Sequence, residues 1–304
     1  MRIITRAPGW AAALALAGAA MLAVPATAQA SAALPGLAVV PCSSSALAAA
    51  INQANSAPFA TLVLARGCTY VLTTTLAPDD GLPPITGNLL ILGSGGTTIR
   101  RSPSTVNFRI FDVTSFGRLT LANVTVANGK VGNGKGGGIL DQGTLVLRNV
   151  RLTGNTGGLG GGLAVLSGAH ARISNSELDG NDTSPTGAGG AVYNEGDLVI
   201  DQSALARNTA DFFGGGVFTQ VVQPTATTRI SRTVITRNRA GRIGGGIFNG
   251  GATVLTGDRV VFNSAGSGGG GIFNGGTLSL LFTLVAFNSP DNCVPPGTIR
   301  GCRN

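Results

Sequence analysis

The sequence is poor in the side chains that most often carry catalysis. It contains one histidine and 13 Asp and Glu residues among 304 residues. That histidine, His170, lies between two alanines in a stretch predicted to be a loop, with no Ser or Cys at motif spacing. The motif G-x-x-x-x-G-K-S/T is missing, which excludes a P-loop, and the glycine runs lack the aspartates of calcium-binding repeats. We therefore predict no catalytic residue, no metal and no cofactor.

After its first thirty residues the chain has no apolar run long enough to span a bilayer. Near the N-terminus, an apolar run over 10–24 follows two arginines and precedes Ala-Gln-Ala at 28–30. This order is typical of a secretory signal peptide over 1–30, cleaved between Ala30 and Ser31. A membrane anchor is the alternative, but about 15 apolar residues are fewer than the roughly 20 that a spanning helix needs. We expect a protein that is secreted or held non-covalently at a surface.

The mature chain, 304 minus 30 or 274 residues, contains all four cysteines and no linker rich in proline or serine. One domain is therefore expected. An even number of cysteines in an exported chain indicates disulfides rather than free thiols. Four cysteines allow three pairings, and the short separations favour the local one, Cys42 with Cys68 and Cys293 with Cys302.

The charge of the mature chain is positive. The formal net charge is +8, and removal of the two arginines that precede the apolar run lowers it to +6. A basic exported protein is predisposed towards anionic partners such as acidic glycans, wall polymers or lipid headgroups. We expect no nucleic acid among them, and charge alone does not choose between the others.

What the chain has in abundance is repetition. The segment GGGIFNGG occurs at 244–251 and again at 269–276. A Gly-Gly pair followed by an apolar residue recurs with a period of 24 to 30 residues, and an asparagine that ends an alternating apolar segment recurs in step with it. The apolar members are Ile139, Leu163, Val192, Val217, Ile247 and Ile272, and the asparagines are Asn155, Asn181, Asn208, Asn238, Asn263 and Asn288.

Within each repeat the apolar residues alternate with period two, as at Leu145 and Leu147, and helical spacing is absent. Each repeat is too small to bury its own apolar face, so stacking must supply the core. The pattern predicts an all-β, right-handed parallel β-helix in which each coil of about 25 residues, built from three sheets, rises about 4.8 Å. Glycine and asparagine suit the corners, and the asparagines can stack as a ladder in which each amide bonds the next.

The ends of the rod differ from its middle. Residues 31–127 are predicted to form an N-terminal cap and irregular first coils, 128–288 the regular coils, and 289–304 a disulfide-closed C-terminal cap. The serines at 43–45 precede an apolar pattern that favours a short capping helix. Asn128 comes one residue too early to join the ladder. Early strands are predicted at Thr61–Leu64, Tyr70–Leu72, Leu89–Leu92, Phe108–Val113 and Leu119–Leu121.

These residues carry a resemblance to known repeats. The pattern over roughly Leu37 to Asn288 resembles right-handed parallel β-helix proteins of the pectin-lyase-like class. The Gly245-Gly246-Ile247 and Phe262-Asn263 elements resemble polymorphic outer membrane protein repeats. The resemblance implies an architecture, but not one function, because the class includes polysaccharide lyases, glycoside hydrolases and adhesins.

Catalysis on such a rod usually needs carboxylates in neighbouring coils, and inverting hydrolysis needs two about 6.5 to 9.5 Å apart. Aligning the repeats places Asp201 beside Ser174 and Ser231, Glu177 beside Arg151 and Ala204, and Asp141 beside Val165, so no aligned position holds two neighbouring acids. Two further acidic pairs, Asp79 with Asp80 and Asp179 with Asp182, are predicted to be turn and solvation residues.

Two features could bind a ligand. An aromatic stripe follows the repeated apolar residue and could stack on sugar rings, or it could be buried as a structural ladder. An arginine group that falls mostly within one coil could bind carboxylates or sulfates, or it could be a solvated basic face. The stripe comprises Tyr193, Phe218, Phe248 and Phe273, and the group comprises Arg207, Arg229, Arg232, Arg237 and Arg239.

Three functions remain open on the sequence. The first is a non-catalytic secreted or surface-associated module that binds an acidic or neutral polysaccharide or a wall polymer. The second is a polysaccharide lyase or glycoside hydrolase with an unrecognised site. The third is a structural or adhesive protein that contacts other proteins.

Overall fold

A computed structural model describes residues 37–221, 225–295, 297 and 299–303, with the side chains of 184–186 left out. The predicted signal peptide and its cleavage site therefore lie outside the described residues. Within them the chain forms an all-β parallel solenoid of about nine turns, with one helix. Each turn is called a coil below, and residues at the same place in successive coils form a column.

Four parallel sheets form the faces of the rod, and a regular coil contributes one strand to each, in the chain order sheet 1 to sheet 4. Sheet 1 contains Leu37–Val40, Ala60–Leu64, Asn88–Leu92, Arg118–Ala122, Thr144–Arg148, His170–Ser174, Asp197–Asp201, Thr227–Ser231, Ala252–Thr256 and Thr277–Leu281. Sheet 2 contains Thr69–Leu72, Thr98–Arg101, Thr125–Ala127, Arg151–Thr153, Glu177–Asp179, Ala204–Ala206, Val234–Thr236, Arg259–Val261 and Leu284–Ala286.

The other two sheets have shorter strands or fewer of them. Sheet 3 contains Lys130–Lys135, Thr156–Leu159, Asp182–Ala188, Thr209–Ala210, Arg239–Ala240 and Ser264–Ala265. Sheet 4 contains Phe111–Val113, Ile139–Asp141, Leu163–Val165, Val192–Asn194, Val217–Thr219, Ile247–Asn249, Ile272–Asn274 and Cys293–Val294. The prediction of three sheets was wrong by one, because sheet 3 has only two residues per strand in its last three coils.

The strand register agrees with the alignment of the repeats. Asp201 pairs with Ser174 and Ser231, and Asp141 pairs with Val165. The alternating apolar side chains point inward, so Leu145 and Leu147 are fully buried in a core that runs along the rod. Because each coil buries its apolar face only against its neighbours, stacking supplies the core, as predicted.

Two of the early predictions need correction. Phe111–Val113 is a strand, but Phe108 to Ile110 is not, because Arg109 there forms a bridge to Asp80 instead of a regular ladder. His170 is not in a loop but begins a strand of sheet 1. The strand Thr98–Arg101 was not predicted.

Three corners per coil adopt left-handed backbone, and their columns differ in composition. The corner between sheets 3 and 4 uses glycine, as at Gly244 with φ 72°. The next residue, Gly245, must also be glycine, because a Cβ there would clash with the carbonyl oxygens of Ser264 and Gly270. GGGIFNGG is thus one short strand, Ile247–Asn249, with the glycines that let neighbouring coils approach.

The asparagine ladder is present and buried. Asn181 Nδ2 donates to Asn208 Oδ1 at 3.0 Å, and Asn208 Nδ2 donates to Asn238 Oδ1 at 2.9 Å. The backbone N–H of Asn208 also donates to Asn238 Oδ1, at 2.9 Å. The left-handed residue is the one before each ladder asparagine, and Asn128 occupies that earlier column, as its offset indicated.

The predicted helix and both predicted cysteine pairs are present. Ser43 accepts from the N–H of Ala46 at the start of the helix Ser44–Ala54, whose Leu47 and Ile51 are fully buried. Disulfides join Cys42 to Cys68, with a Cα–Cα distance of 5.7 Å, and Cys293 to Cys302, with 6.3 Å. Disulfides at both ends indicate an oxidising, extracellular environment.

Candidate functional site

A groove runs along the corner between sheets 1 and 2 and is here called the corner groove. Its volume is about 920 Å³, and it crosses six coils, from Ser94–Thr97 to Arg232. Six levels at about 4.8 Å per coil give a length of roughly 24 Å along the rod. The groove therefore extends in the direction in which the coils repeat.

Exposed amide side chains line the corner groove at successive levels. Asn123, Asn149, Asn175 and Gln202 occupy one column, and all have left-handed backbone, with φ between 47° and 57°. Asn149 Nδ2 donates to Asn123 Oδ1 at 2.7 Å. An amide offers donors and acceptors without charge, so this column can hydrogen-bond to hydroxyl groups.

The charged groups at the corner groove are paired. Arg151 Nη1 lies 3.2 Å from Glu177 Oε2, and Arg232 Nη2 lies 2.5 Å from Asp201 Oδ1. Hydrogen bonding from Ser231, with help from Arg232, lowers the pKa of Asp201. The groove is therefore polar, and its charges are largely balanced.

A second ladder forms the buried floor beside the amides. The backbone N–H of Ser176 donates to Ser203 Oγ at 3.1 Å, and that of Ser203 donates to Thr233 Oγ1 at 3.2 Å. Asp258 continues this column, and its Oδ1 accepts from the N–H of Thr233 at 2.7 Å. Burial raises the pKa of Asp258 to about 6. These side chains hold the corner in place, so they are structural.

The aromatic stripe lies on sheet 4, outside the corner groove. Its rings stack from coil to coil, with centroids 5.4 Å apart for Tyr193 and Phe218, 4.7 Å for Phe218 and Phe248, and 5.0 Å for Phe248 and Phe273. Tyr193 and Phe218 are buried in a second apolar cluster with Leu140, whereas Phe248 and Phe273 are half-buried. Only the last two rings offer an accessible face.

Two charged side chains, Lys135 and Glu195, meet at Tyr193, the first ring of the stripe. The alignment of the repeats did not reveal this contact. Tyr193 Oη donates to Glu195 Oε1 at 2.7 Å, and Lys135 Nζ lies 2.8 Å from the same oxygen. Burial is the main cause that raises the pKa of Tyr193, and the hydrogen bond to Glu195 raises it further. Lys135 and Glu195 are 60 residues apart in sequence, so no local motif points to their contact.

The arginine group is spread around the rod. Arg229 is on the outer face of sheet 1, Arg232 is at the corner between sheets 1 and 2, and Arg239 is on sheet 3. Arg207 and Arg237 are in one column at the corner between sheets 2 and 3, and Arg207 Nη2 lies 2.7 Å from Asp179 Oδ1. These arginines are close in sequence, but their guanidinium groups lie on different faces of the rod. Of this group, only Arg232 lines the corner groove.

The histidine has an acidic partner. His170 Nδ1 lies 3.1 Å from Asp197 Oδ2, and Thr227 Oγ1 donates to Asp197 Oδ1 at 2.6 Å. This pair borders a shallow depression of about 310 Å³ on sheet 1, which Arg172 and Arg229 also line. Both side chains are exposed.

The predicted turn acids divide into two kinds. Asp79 has left-handed backbone in a turn, as expected. Asp80 is buried and lies 2.7 Å from Arg109 Nη1, so the prediction of a solvated residue was wrong for it. Burial raises the pKa of Asp80 to about 6. Asp179 is likewise mostly buried, between Arg151 and Arg207.

The described part of the chain has neither a cluster of metal-ligating side chains nor a membrane-spanning helix. Its residues include no group of three or more His, Cys, Asp or Glu side chains that could hold a metal ion. Among the same residues no helix has the length and hydropathy required to cross a membrane.

The geometry defines the class of protein, which is a parallel β-solenoid repeat protein closed by disulfides. Comparison with protein-family models, with curated proteins and with solved structures finds no match to this chain.

Proposed function

We propose that this protein is a secreted or surface-associated, non-catalytic module that binds a polysaccharide or cell-wall polymer along the corner groove. The observation that carries the proposal is the column of exposed amides at Asn123, Asn149, Asn175 and Gln202. A polysaccharide presents hydroxyl groups at intervals along a line, and the groove presents amides along a line. The resemblance to pectin-lyase-like β-helices and to polymorphic outer membrane protein repeats is part of the same proposal.

The charge of the groove favours a neutral polymer over an acidic one. Arg151 pairs with Glu177 and Arg232 pairs with Asp201, so neither guanidinium is free to attract a carboxylate without breaking an ion pair. Amides need no such exchange of partners. Retention of a neutral glycan should therefore depend little on salt, because screening acts on charges.

The test is affinity electrophoresis of the exported protein through gels that contain hydroxyethyl cellulose, arabinoxylan or polygalacturonate. The double variant Asn149→Gly/Asn175→Gly removes two amides and keeps the left-handed corner, since Gly257 occupies the same column in a later coil. We expect about thirtyfold weaker retention on the neutral polymer that binds, from two lost hydrogen bonds of about 1 kcal/mol each.

The matched control is Asn128→Gly, which makes the same change at the corner between sheets 2 and 3, at φ 61° and away from the groove. Unchanged retention of the double variant on a polymer that the wild type binds would contradict the groove as the site. Loss of binding in Phe248→Ala/Phe273→Ala would move the site to the stripe. Salt-sensitive loss in Arg232→Gln/Arg237→Gln/Arg239→Gln would move it to the arginines.

A lyase or hydrolase is the second candidate, and the His170–Asp197 pair is the observation that favours it. The pair lies at a depression between Arg172 and Arg229, where an acidic sugar could be held beside a base. The same polymers, incubated with the protein, are to be assayed for new reducing ends. Cleavage that His170→Ala abolishes would support this candidate over simple binding.

A further inference from the structure

The last two coils carry phenylalanine at corners where earlier coils carry other residues. Phe282 is in the column at the corner between sheets 1 and 2, after Asn123, Asn149, Asn175, Gln202, Arg232 and Gly257. Phe262 and Phe287 are in the column at the corner between sheets 2 and 3, after Asn128, Gly154, Gly180, Arg207 and Arg237. All three phenylalanines have left-handed backbone, with φ of 59°, 52° and 58° for Phe262, Phe282 and Phe287. A bulky aromatic residue in this region is a strained choice, where glycine or asparagine fits with little cost.

These rings do not contribute to the core. Phe282 is 98% exposed, Phe287 71% and Phe262 54%. Phe262 and Phe287 stack on each other, with centroids 5.3 Å apart, and Leu281 and Leu284 extend the exposed apolar surface. Since the fold accepts backbone strain to display side chains that it does not bury, their use lies outside the chain. We call Phe262, Leu281, Phe282, Leu284 and Phe287 the terminal apolar surface.

Arginines lie directly behind the terminal apolar surface. Arg259 is one coil before Leu284 in the same column, and Arg237 is one coil before Phe262. Among the described residues neither arginine takes part in an ion pair. The cap adds Arg300 and Arg303, both exposed. The one Asp or Glu side chain of the cap, Asp291, points into the fold and accepts from the N–H of Gly269.

We propose that this end of the rod docks on a lipid bilayer that carries anionic headgroups. The apolar side chains of the last coil would enter the boundary between headgroups and acyl chains. Arg259 and Arg237, one and two coils back, lie about 5 and 10 Å along the rod from that coil. Apolar faces of peripheral proteins are buried about 5 to 10 Å into this boundary, so the arginines come to the level of the lipid phosphates.

Charge and side-chain type favour a membrane over the other occupants of such a surface. A second copy would bring the same unpaired arginines against one another. An acidic polysaccharide would use the arginines but would leave Leu281 and Leu284 without a role. An anionic membrane uses both, since apolar insertion and attraction to anionic headgroups add together.

The test is flotation of the exported protein with vesicles of phosphatidylcholine alone, and of three parts phosphatidylcholine to one part phosphatidylglycerol, at physiological salt. The variant Phe282→Asn/Phe287→Asn installs the residue that earlier corners use. We expect binding to the anionic vesicles to fall by at least about tenfold. The thermal midpoint should stay unchanged or rise, because asparagine tolerates left-handed backbone. Arg237→Gln/Arg259→Gln should lower binding to anionic vesicles by about fivefold per arginine.

The matched control is Phe116→Asn, because Phe116 is 90% exposed but belongs to the first coils, far along the chain from the terminal apolar surface. It should bind vesicles like the wild type. The groove variant Asn149→Gly/Asn175→Gly should also bind vesicles normally, so the two proposals fail separately.

A fluorescent reporter gives a second measurement that does not depend on losing function. The only tryptophan of the chain is Trp10, so Phe287→Trp, in a Trp10→Phe background where the leader is retained, gives one probe at the rod end. Its emission should shift to shorter wavelength with anionic vesicles and be quenched by brominated acyl chains, whereas Phe116→Trp should do neither.

The proposal would be overturned if Phe282→Asn/Phe287→Asn binds vesicles as strongly as the wild type does. It would also be overturned if the emission of Phe287→Trp does not shift. Sedimentation velocity and the polygalacturonate gel cover the other occupants. If the phenylalanine variant loses a dimer or its polygalacturonate retention while vesicle binding is unchanged, the surface belongs to a second copy or to an acidic polymer, and the lipid proposal is wrong.

Discussion

At the scale of single residues, the fully buried carboxyl group of Asp141 should make the stability of the protein sensitive to pH. Its Oδ1 accepts from the N–H of Gly143 at 3.1 Å, and its Oδ2 has no hydrogen-bond partner among the described residues. Burial raises the pKa of Asp141 to about 7. Three later coils have asparagine in this column, at Asn194, Asn249 and Asn274, and the amides of Asn194 and Asn249 each donate to a backbone carbonyl.

We predict that Asp141→Asn stabilises the protein near neutral pH. The pKa of the Asp141 carboxyl is about 7 in the folded state and about 4 in the unfolded state, so the folded state stays protonated up to a higher pH. The contribution of Asp141 to the free energy of unfolding is therefore greatest below a pH of about 4. It falls by up to about 4 kcal/mol as the pH rises towards 7. The variant should lack this part of the fall, and thermal melts from pH 4 to pH 8 measure it.

Asp80→Asn is the control for the Asp141 prediction, because Asp80 is also buried but is paired with Arg109 at 2.7 Å. Burial raises the pKa of Asp80 only to about 6, because Arg109 offsets part of the burial, so Asp80→Asn should stabilise the protein at pH 7 by less than Asp141→Asn does. If Asp141→Asn instead lowers the midpoint at pH 7, then the Asp141 carboxylate has a counter-charge and our account of it is wrong.

At the scale of the repeated element, the asparagine ladder joins each coil to the next. Each internal ladder residue uses its Oδ1 to accept from the preceding asparagine, both from its backbone N–H and from its Nδ2. Its own Nδ2 donates to the next asparagine and to a carbonyl of an earlier coil, as Asn208 does to Leu178 O at 2.9 Å. Because the left-handed residue is Arg207, not Asn208, the ladder stabilises by hydrogen bonds and not by relief of turn strain.

Replacing Asn208 by alanine should therefore lower the free energy of unfolding by about 1 to 3 kcal/mol, through unpaired buried groups in Asn181, Asn238 and Leu178. Denaturant melts followed by far-UV circular dichroism give the value. Asn133→Ala, an exposed asparagine in the strand Lys130–Lys135, should stay within about 0.5 kcal/mol of the wild type. Equal melts for the two variants would mean that the ladder bonds contribute nothing in solution.

At the scale of the whole molecule, the rod depends on its ends, because a stack of coils exposes apolar edges there. The helix Ser44–Ala54 buries Leu47 and Ile51 against the first coil. At the other end the cap is smaller, and the strand Thr277–Leu281 remains partly exposed along its length. The Cys293–Cys302 disulfide holds this cap, with Ile299 buried inside it.

We predict that Cys293→Ser/Cys302→Ser destabilises the C-terminal coils more than the rest. A loop of about ten residues closed by a disulfide contributes roughly 3 kcal/mol in the chain-entropy account. Hydrogen exchange should increase first in the strands Thr277–Leu281 and Leu284–Ala286. Cys42→Ser/Cys68→Ser serves as the control, because it should loosen the helix end instead. Uniform loss of protection along the rod in both variants would contradict this assignment.

The sequence by itself determined the repeat, and with it the parallel coils, the register and the ladder, because a solenoid contact depends on the period alone. Asn208 meets Asn238 since both occupy the same place in successive repeats. The four-sheet section was less predictable, because the two-residue strand Thr209–Ala210 has no alternation to recognise. Cysteine pairing was predictable because both partners lie close in sequence.

Only the tertiary structure decided what the outer surface presents. Arg229, Arg232 and Arg239 are close in sequence, yet they point from different faces, because a coil turns a corner every few residues. Conversely, Lys135 and Glu195 meet across coils, and Phe282 is exposed at a corner where its strained backbone is visible only in three dimensions. Inward side chains repeat because each must fit the same core, whereas outward side chains are free to vary. Their arrangement therefore follows from the path of the chain and not from the repeat.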